Sequence, residues 1–508
     1  MLRRPILSSV ALLAAGPALA DVDPSAVWAD LQEALAGYGY EVGTGEVAED
    51  AAGVSVRDLT LTQTSETETF DDTFQEVTQT STVVLTLPTL SIADAGENAD
   101  IAFPPEMPLT VTTVTGEETV VVRGTISQEA MTTTVSEVPD GLAYDYAAQA
   151  VRFVLDGVEG AGAPPSADGT VTISDLAGRS VATVAGGVRT VAQTQSSGPV
   201  EASMRVDQGG EEGTVDLRVT VAEATSQGEL SMPEGTSLAG TGGADTAALP
   251  EGVAVAGRAE VGALSLAMTV EAPGEGFSYA SDSAGLAFDI ALGDGRMVYG
   301  LAGRGGEVRL SGDQIPLPQV AFSLGGSELR LDIPLQGDEA AQPFSLLTAL
   351  RDLTIDEAVW SLFDAGQVLD RAPASLRIDL AGTVDVPEAA EEATPMPSFP
   401  QPRTLEIGGI DLSLLGAALR ARGALTAAEG GLSVMGPPQV EGMIEIDLTG
   451  VQGLLRDLVS AGLLPPEQAA FAGGMLGFMA RPTGEDSFAS EIVFGPDGSI
   501  TANGMPLQ

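Results

Sequence analysis

Apolar residues fall on every second position along most of this chain. Val151, Phe153 and Leu155 alternate with polar residues, as do Val215, Leu217, Val219 and Val221. Leu264, Leu266, Met268 and Val270 repeat the pattern, and so do Leu286, Phe288, Ile290 and Leu292. Period-two alternation makes strands with one apolar and one polar face. The series opens at Val54, Val56, Leu59 and Leu61, with a bulge or register change at Arg57-Asp58. It continues through Thr82 to Leu87, Leu109 to Val114, Thr119 to Arg123 and Met131 to Val135, with a hairpin turn at Gly116-Glu117. Val320, Phe322 and Leu324 precede Leu329, Leu331 and Ile333, and Leu405, Ile407, Ile410 and Leu412 are interrupted at Gly408-Gly409. Short strands separated by turn residues predict a mainly β fold, a long curved antiparallel meander. Its apolar face meets a second sheet, closes into a barrel, or curls into an open trough. A trough offers a groove for acyl chains; a sandwich core offers none.

A different period marks the helices. Asp23 is a good N-cap and Pro24 a good first residue, and Val27, Leu31 and Leu35 recur every four residues beside Trp28. Gly37 or Gly39 ends this N-terminal helix. Phe344 to Leu350 reads as a short helix, and Val359, Trp360, Leu362 and Phe363 lie in a second. Val451 to Ala461 is helical with Gly462 as its cap. Pro465-Pro466-Glu467 starts a partner helix, so the chain is expected to carry a C-terminal helical hairpin. The Gly- and Met-rich run of that partner adapts to irregular apolar shapes. Trp360, Phe363, Phe471, Met475, Phe478 and Met479 are therefore the candidate contacts for an apolar ligand. The plainer reading is that they plug the end of the sheet.

Composition divides the chain. Arg3 and Arg4, the apolar run Ile6 to Ala15 and the small-x-small sequence Ala18-Leu19-Ala20 read as a secretory signal peptide over residues 1–20, cleaved after Ala20. The apolar run is too short to span a bilayer, and no later segment is apolar enough for a stable membrane span. The expected location is the periplasm. Ser226 to Glu251 reads as a loop, and the Pro- and Glu-rich stretch 387–402 as an extended linker. It separates a β-rich region, 21–386, from a β-plus-helical-hairpin region, 403–508.

Charge and missing residue types narrow the chemistry. The 508 residues include 72 acidic and 22 basic ones, for a net charge of −50, and there is no His, no Cys and no Lys. Such a surface repels nucleic acid. Without His and Cys, the usual zinc, haem and copper sites and the Ser-His-Asp and Cys-His nucleophiles are excluded. Without Lys, Schiff-base chemistry and the P-loop are excluded. Neither an EF-hand spacing nor a calcium-binding β-helix repeat is present, so no metal site and no cofactor is predicted. A two-carboxylate hydrolase is the remaining enzyme class. No motif singles out such a pair, and the chain reads as non-enzymatic.

Two segments carry a resemblance. One holds Trp360-Ser361-Leu362-Phe363-Asp364 and Leu376-x-Ile378-Asp379-Leu380-x-Gly382; the other holds Gly416-Ala417, Leu463-Leu464-Pro465, Met475-Leu476 and the ending Gly498 to Leu507. Together they resemble domain-of-unknown-function family 2125, exported proteins of alphaproteobacteria. Where that family commonly has Pro after the aspartate, this chain has Ala365-Gly366. The ending is also similar in style to AsmA-like and YdgA-like periplasmic proteins, whose curved sheets are thought to hold or pass lipids. The resemblance implies a periplasmic envelope protein with lipid or another apolar ligand on the concave face of its sheet. The alternatives are a structural or interaction protein of the envelope and a carboxylate-based glycan hydrolase.

Overall fold

The computed structural model describes residues 22–70, 76–160, 163–210, 213–238, 250–336, 341–386, 401–427 and 440–507. The proposed signal peptide, most of the Pro-rich stretch and part of the 226–251 segment lie outside them. The chain forms two compact units, Met1–Ser278 and Tyr279–Gln508, divided within the strand Glu275–Gly293. Both are mainly β and antiparallel, as the alternation predicts.

In the first unit the chain runs up and down as a meander. Gly53–Phe70 pairs with Glu76–Asp94, which takes Asn98–Ala102 along one half of its far side and Glu106–Thr115 along the other. Gly141–Gly160 is flanked in the same way by Thr132–Val138 and Glu118–Glu129, and pairs on its other side with Ser166–Ala185. That strand in turn takes Val188–Ser197 and Val200–Gly209. The short strands are thus halves of long ones. They break at Phe103-Pro104-Pro105 and Gly198-Pro199, where proline has no N–H for the ladder. They also break at Ala130, which adopts a left-handed φ of 50°.

At this level the alternation slips by one residue in each unbroken strand. Val54 and Val56 are buried, and the next buried position is Leu59 rather than a residue two further on. Leu87 and Leu90 repeat the three-residue step, as do Ala148 and Val151. Asp58 and Asp175, both at φ 50°, sit at two of these slips. Pairing resumes in the same register beyond each one: Arg57 faces Thr89 and Leu59 faces Leu87, while Ser174 faces Ala150 and Leu176 faces Ala148. The irregularity at Arg57-Asp58 is therefore a change of facing without a change of register. Each aspartate stands beside a glycine. A Cβ on Gly45 would lie 3.3 Å from Asp58 Oδ2, and one on Gly198 would lie 3.1 Å from Asp175 Oδ2.

Helix α1 (Pro24–Gly37) covers one half of the apolar face. Asp23 caps it, accepting a hydrogen bond from Ser25 N at 2.9 Å, with Pro24 in the first turn. Val27, Trp28, Leu31 and Leu35 are buried, and the first three form one cluster with Val54, Val56, Leu90, Ile92, Val135 and Tyr144. Of the predicted four-residue series, Val27 and Leu31 enter that core, joined by Val22 from just before the helix, and Leu35 is buried outside it.

The second unit repeats the meander. Arg296–Gly312, Val320–Pro334, Gln342–Ile355, Ala374–Asp385, Gln401–Leu414, Ala417–Ala427, Val440–Thr449 and Ser487–Phe494 pair in succession. Asp385 faces Gln401, so residues 387–400 connect two neighbouring strands of one unit. Asp352 (φ 54°) repeats the left-handed aspartate beside a glycine, here Gly325, but the register with Ala374–Asp385 shifts between Leu350 and Leu353. Helices α2 (Glu357–Phe363), α3 (Val451–Ser460) and α4 (Pro466–Met479) complete the fold. The last two are the predicted hairpin.

Two expectations are corrected. Phe344 to Leu350 is not helical; it lies within Gln342–Ile355, hydrogen-bonded to strands on both sides. Its dense apolar run fits either period, and pairing decided it. Ser226 to Pro233 is not loop but the end of the strand Ala224–Pro233, with Met232 buried and partners on both edges.

Candidate apolar binding face

Alternation places aliphatic side chains in rows that cross the strands. In the second unit one row runs Tyr299, Leu331, Leu346, Leu380, Ile407, Gly423, Ile444 and Ile492, each directly opposite the next. A second runs Leu350, Leu376, Leu412, Leu419, Leu448 and Phe488. The reverse side carries charge: Arg377 pairs with Asp379 at 2.6 Å, and Arg420 with Asp411 at 3.5 Å. One face is aliphatic and the other ionic, as period two requires.

The aliphatic face is not closed. Of the first row only Ile407 is buried, and Leu350 and Leu412 of the second are 43% and 38% exposed. Two packed sheets bury their inner faces in a core about 10 Å thick, and these side chains are not so buried. Glycines deepen the surface locally. A depression of about 800 Å³ is lined by Phe344, Gly382, Leu405, Ile407, Gly423 and Leu425. A Cβ on Gly382 would meet the Phe344 ring at 2.9 Å and the Thr404 carbonyl oxygen at 2.0 Å, so only glycine fits beneath the ring.

The first unit has a comparable face beyond the reach of α1. Gly169, Met204, Leu217 and Met268 form one row, and Val171, Ala202, Val219 and Leu266 the next. No residue of Val200–Gly209, Gly213–Val221 or Leu264–Ala272 is buried. Under α1 the face is closed and holds a polar cluster. Asp30 is buried, with Oδ1 3.4 Å from Arg189 Nη2 and Oδ2 3.3 Å from the Tyr144 hydroxyl. Burial pushes the Asp30 carboxyl up to about 7, against the pull of Arg189. Burial also pushes the Tyr38 hydroxyl up to about 12. Reading the chain alone missed this cluster, because its members are 114 and 159 residues apart.

The predicted contact residues all lie on the helices of the second unit. Trp360 is a core anchor, 9% exposed, with the Phe363 ring 5.1 Å away and the Arg371 guanidinium 5.2 Å from its centroid. Asp364 organises the turn that follows. Its buried carboxylate accepts hydrogen bonds from the N–H groups of Val368 at 2.9 Å and Leu369 at 3.0 Å. The Val368 bond, with that of Leu369 and the Arg371 charge, holds its carboxyl below the ordinary range. Phe363 is 38% exposed, and Phe471, Met475 and Phe478 are 72%, 42% and 49% exposed. Met479 is half-buried, its carbonyl accepting hydrogen bonds from Ser490 Oγ and Asn503 Nδ2.

No family model, no curated protein and no solved structure matches this chain.

Proposed function

We propose that this is a non-enzymatic periplasmic envelope protein that binds lipid or another apolar ligand against the aliphatic face of its sheet. The observation that carries the reading is the row from Tyr299 to Ile492, continuous across eight strands and only half-buried along most of its length. Exposed contiguous apolar surface of this kind marks a binding site more often than a solvated one. Neighbours within a row are spaced by strand separation, about 4.8 Å, and present mostly methyl and methylene groups. An extended acyl chain is the ligand that such a lattice matches best. The secretory reading of residues 1–20 supports the location.

The test is mass spectrometry of organic extracts from the full chain, exported to a periplasm and purified without detergent. Stoichiometric phospholipid or fatty acid, absent from a control exported protein, is the expected result. A clean extract from well-folded protein would reject the reading and favour a protein-interaction role.

A further inference from the structure

Helix α4 breaks the rule that water-facing helices obey. Its less covered side carries Phe471, Met475 and Phe478, spaced four and three residues apart and thus on one face. Its more covered side carries Ala469, Ala472, Leu476 and Met479. From Ala469 to Ala480 there is no charged or polar side chain. An amphipathic helix turns polar residues to water; a helix apolar all round its circumference belongs in an apolar medium. None of the described residues supplies that medium, since no residue of α4 is buried and a Cβ on Gly473, Gly474 or Gly477 would touch nothing within 4 Å.

Exposed apolar residues also lie in the preceding turn and on α2. Leu463, in the turn between α3 and α4, is 45% exposed, and Leu362 of α2 is 56% exposed. The segment after α2 reaches this end of the unit, because Asp370 lies against Gly416 and Gly416 against Gly450, the residue before α3.

We infer that the α3–α4 hairpin docks the protein on a lipid bilayer of neutral headgroup charge, with the Phe471–Met475–Phe478 stripe immersed among the acyl chains. Three considerations select this occupant. Side chains of this size bury about 150–250 Å² each, so the exposed parts of Leu463, Phe471, Met475 and Phe478 sum to roughly 400 Å². A stable protein interface needs about 800 Å² from each partner. A second copy is disfavoured further by a charge of −50 on each chain. The same charge turns the protein from anionic lipid, while the uncharged run Ala469–Ala480, with Glu467 confined to the first turn of α4, complements a zwitterionic surface. At 14 residues α4 is about 21 Å long, short of the 30 Å hydrocarbon core, so it enters the interface and does not span it. This docking stands whether or not the sheet face holds a ligand.

The experiment is flotation of the full chain with phosphatidylcholine vesicles on a density gradient. The wild type is expected to float, and the variant Phe471→Glu/Phe478→Glu to lose at least tenfold in vesicle partition at an unchanged melting temperature. Vesicles containing phosphatidylglycerol should bind less at low salt and recover as salt is added. Failure of the wild type to float at excess phosphatidylcholine overturns the inference. Equal flotation of the variant overturns it too, as does a concentration-dependent dimer in light scattering that the same substitutions abolish. Lipid retained in organic extracts reports on the sheet face alone, so the two assays fail separately.

Discussion

The carboxylate of Asp30 and the guanidinium of Arg189 meet at 3.4 Å inside the first unit, 159 residues apart in the chain. The pair ties α1 to the strand Val188–Ser197, and the Tyr144 hydroxyl closes the contact from the strand Gly141–Gly160. Burial raises the Asp30 carboxyl from 3.8 to about 7. The folded state therefore binds its proton more tightly than the unfolded state. Its contribution to stability is complete below about pH 4 and is lost as pH rises towards 7. Asp30→Asn keeps the neutral shape at every pH. The melting temperature of the wild type should fall relative to Asp30→Asn between pH 5 and pH 8, by more than about 2 °C. A constant difference would place the ionisation elsewhere. Asp30→Leu removes the carboxylate that the buried Arg189 guanidinium and the Tyr144 hydroxyl face, and should cost about 1–3 kcal/mol in urea unfolding.

Asp352 and Gly325 make a second testable pair. Asp352 has φ 54°, and a Cβ on Gly325 would lie 2.9 Å from both its Cβ and its Oδ2. Asp352→Gly should be nearly neutral, because glycine accepts left-handed backbone. Asp352→Val should cost about 1–3 kcal/mol, because a β-branched residue does not. Gly325→Val should be at least as costly. Chemical denaturation of the full chain distinguishes these outcomes.

The open rows predict an unusual tolerance. Leu217, between Met204 and Met268, is only half-buried. Leu217→Gln should lower stability by about 1 kcal/mol or less while reducing co-purified lipid. Val56 is 0% exposed beneath α1, and Val56→Asp should prevent folding of that unit. Thermal melts paired with extract analysis separate a binding surface from a core.

The tryptophans give a spectroscopic check. Trp28 and Trp360 are 5% and 9% exposed, so native emission should be blue-shifted and should move to the red as a whole on unfolding. Trp360→Ala should cost about 3–5 kcal/mol. Phe471→Ala, at a position 72% exposed, should change stability by no more than about 0.5 kcal/mol.

Self-repulsion supplies a last prediction. A net charge of −50 destabilises the compact state, and added salt screens it. The melting temperature should rise with sodium chloride up to about 0.5 M, where the Debye length is well under 10 Å. A flat response would mean that arginine pairs such as Arg205–Asp216, at 3.2 Å, already balance the surface locally.

What the sequence alone determined is whatever depends on local order. Alternation at Val215–Val221 and Leu264–Val270 specified strands and their apolar face, since side chains of a strand point to opposite sides by geometry. The Asp23 cap, Pro24 and the Val27–Leu31–Leu35 spacing specified α1, and Gly408-Gly409 marked a true irregularity between Ile407 and Ile410. Tertiary structure decided the rest, because those outcomes depend on partners far along the chain. Phe344 to Leu350 became strand when two neighbours offered hydrogen bonds on both edges. Trp360 was buried while Phe471 and Phe478 were left in the open, although all three lie in similarly apolar runs. No local pattern announces the meeting of Asp30 with Arg189. Nor does it say whether an apolar face is covered: period two gives every strand such a face, and only the arrangement of α1 and the sheet determines which half of it meets water.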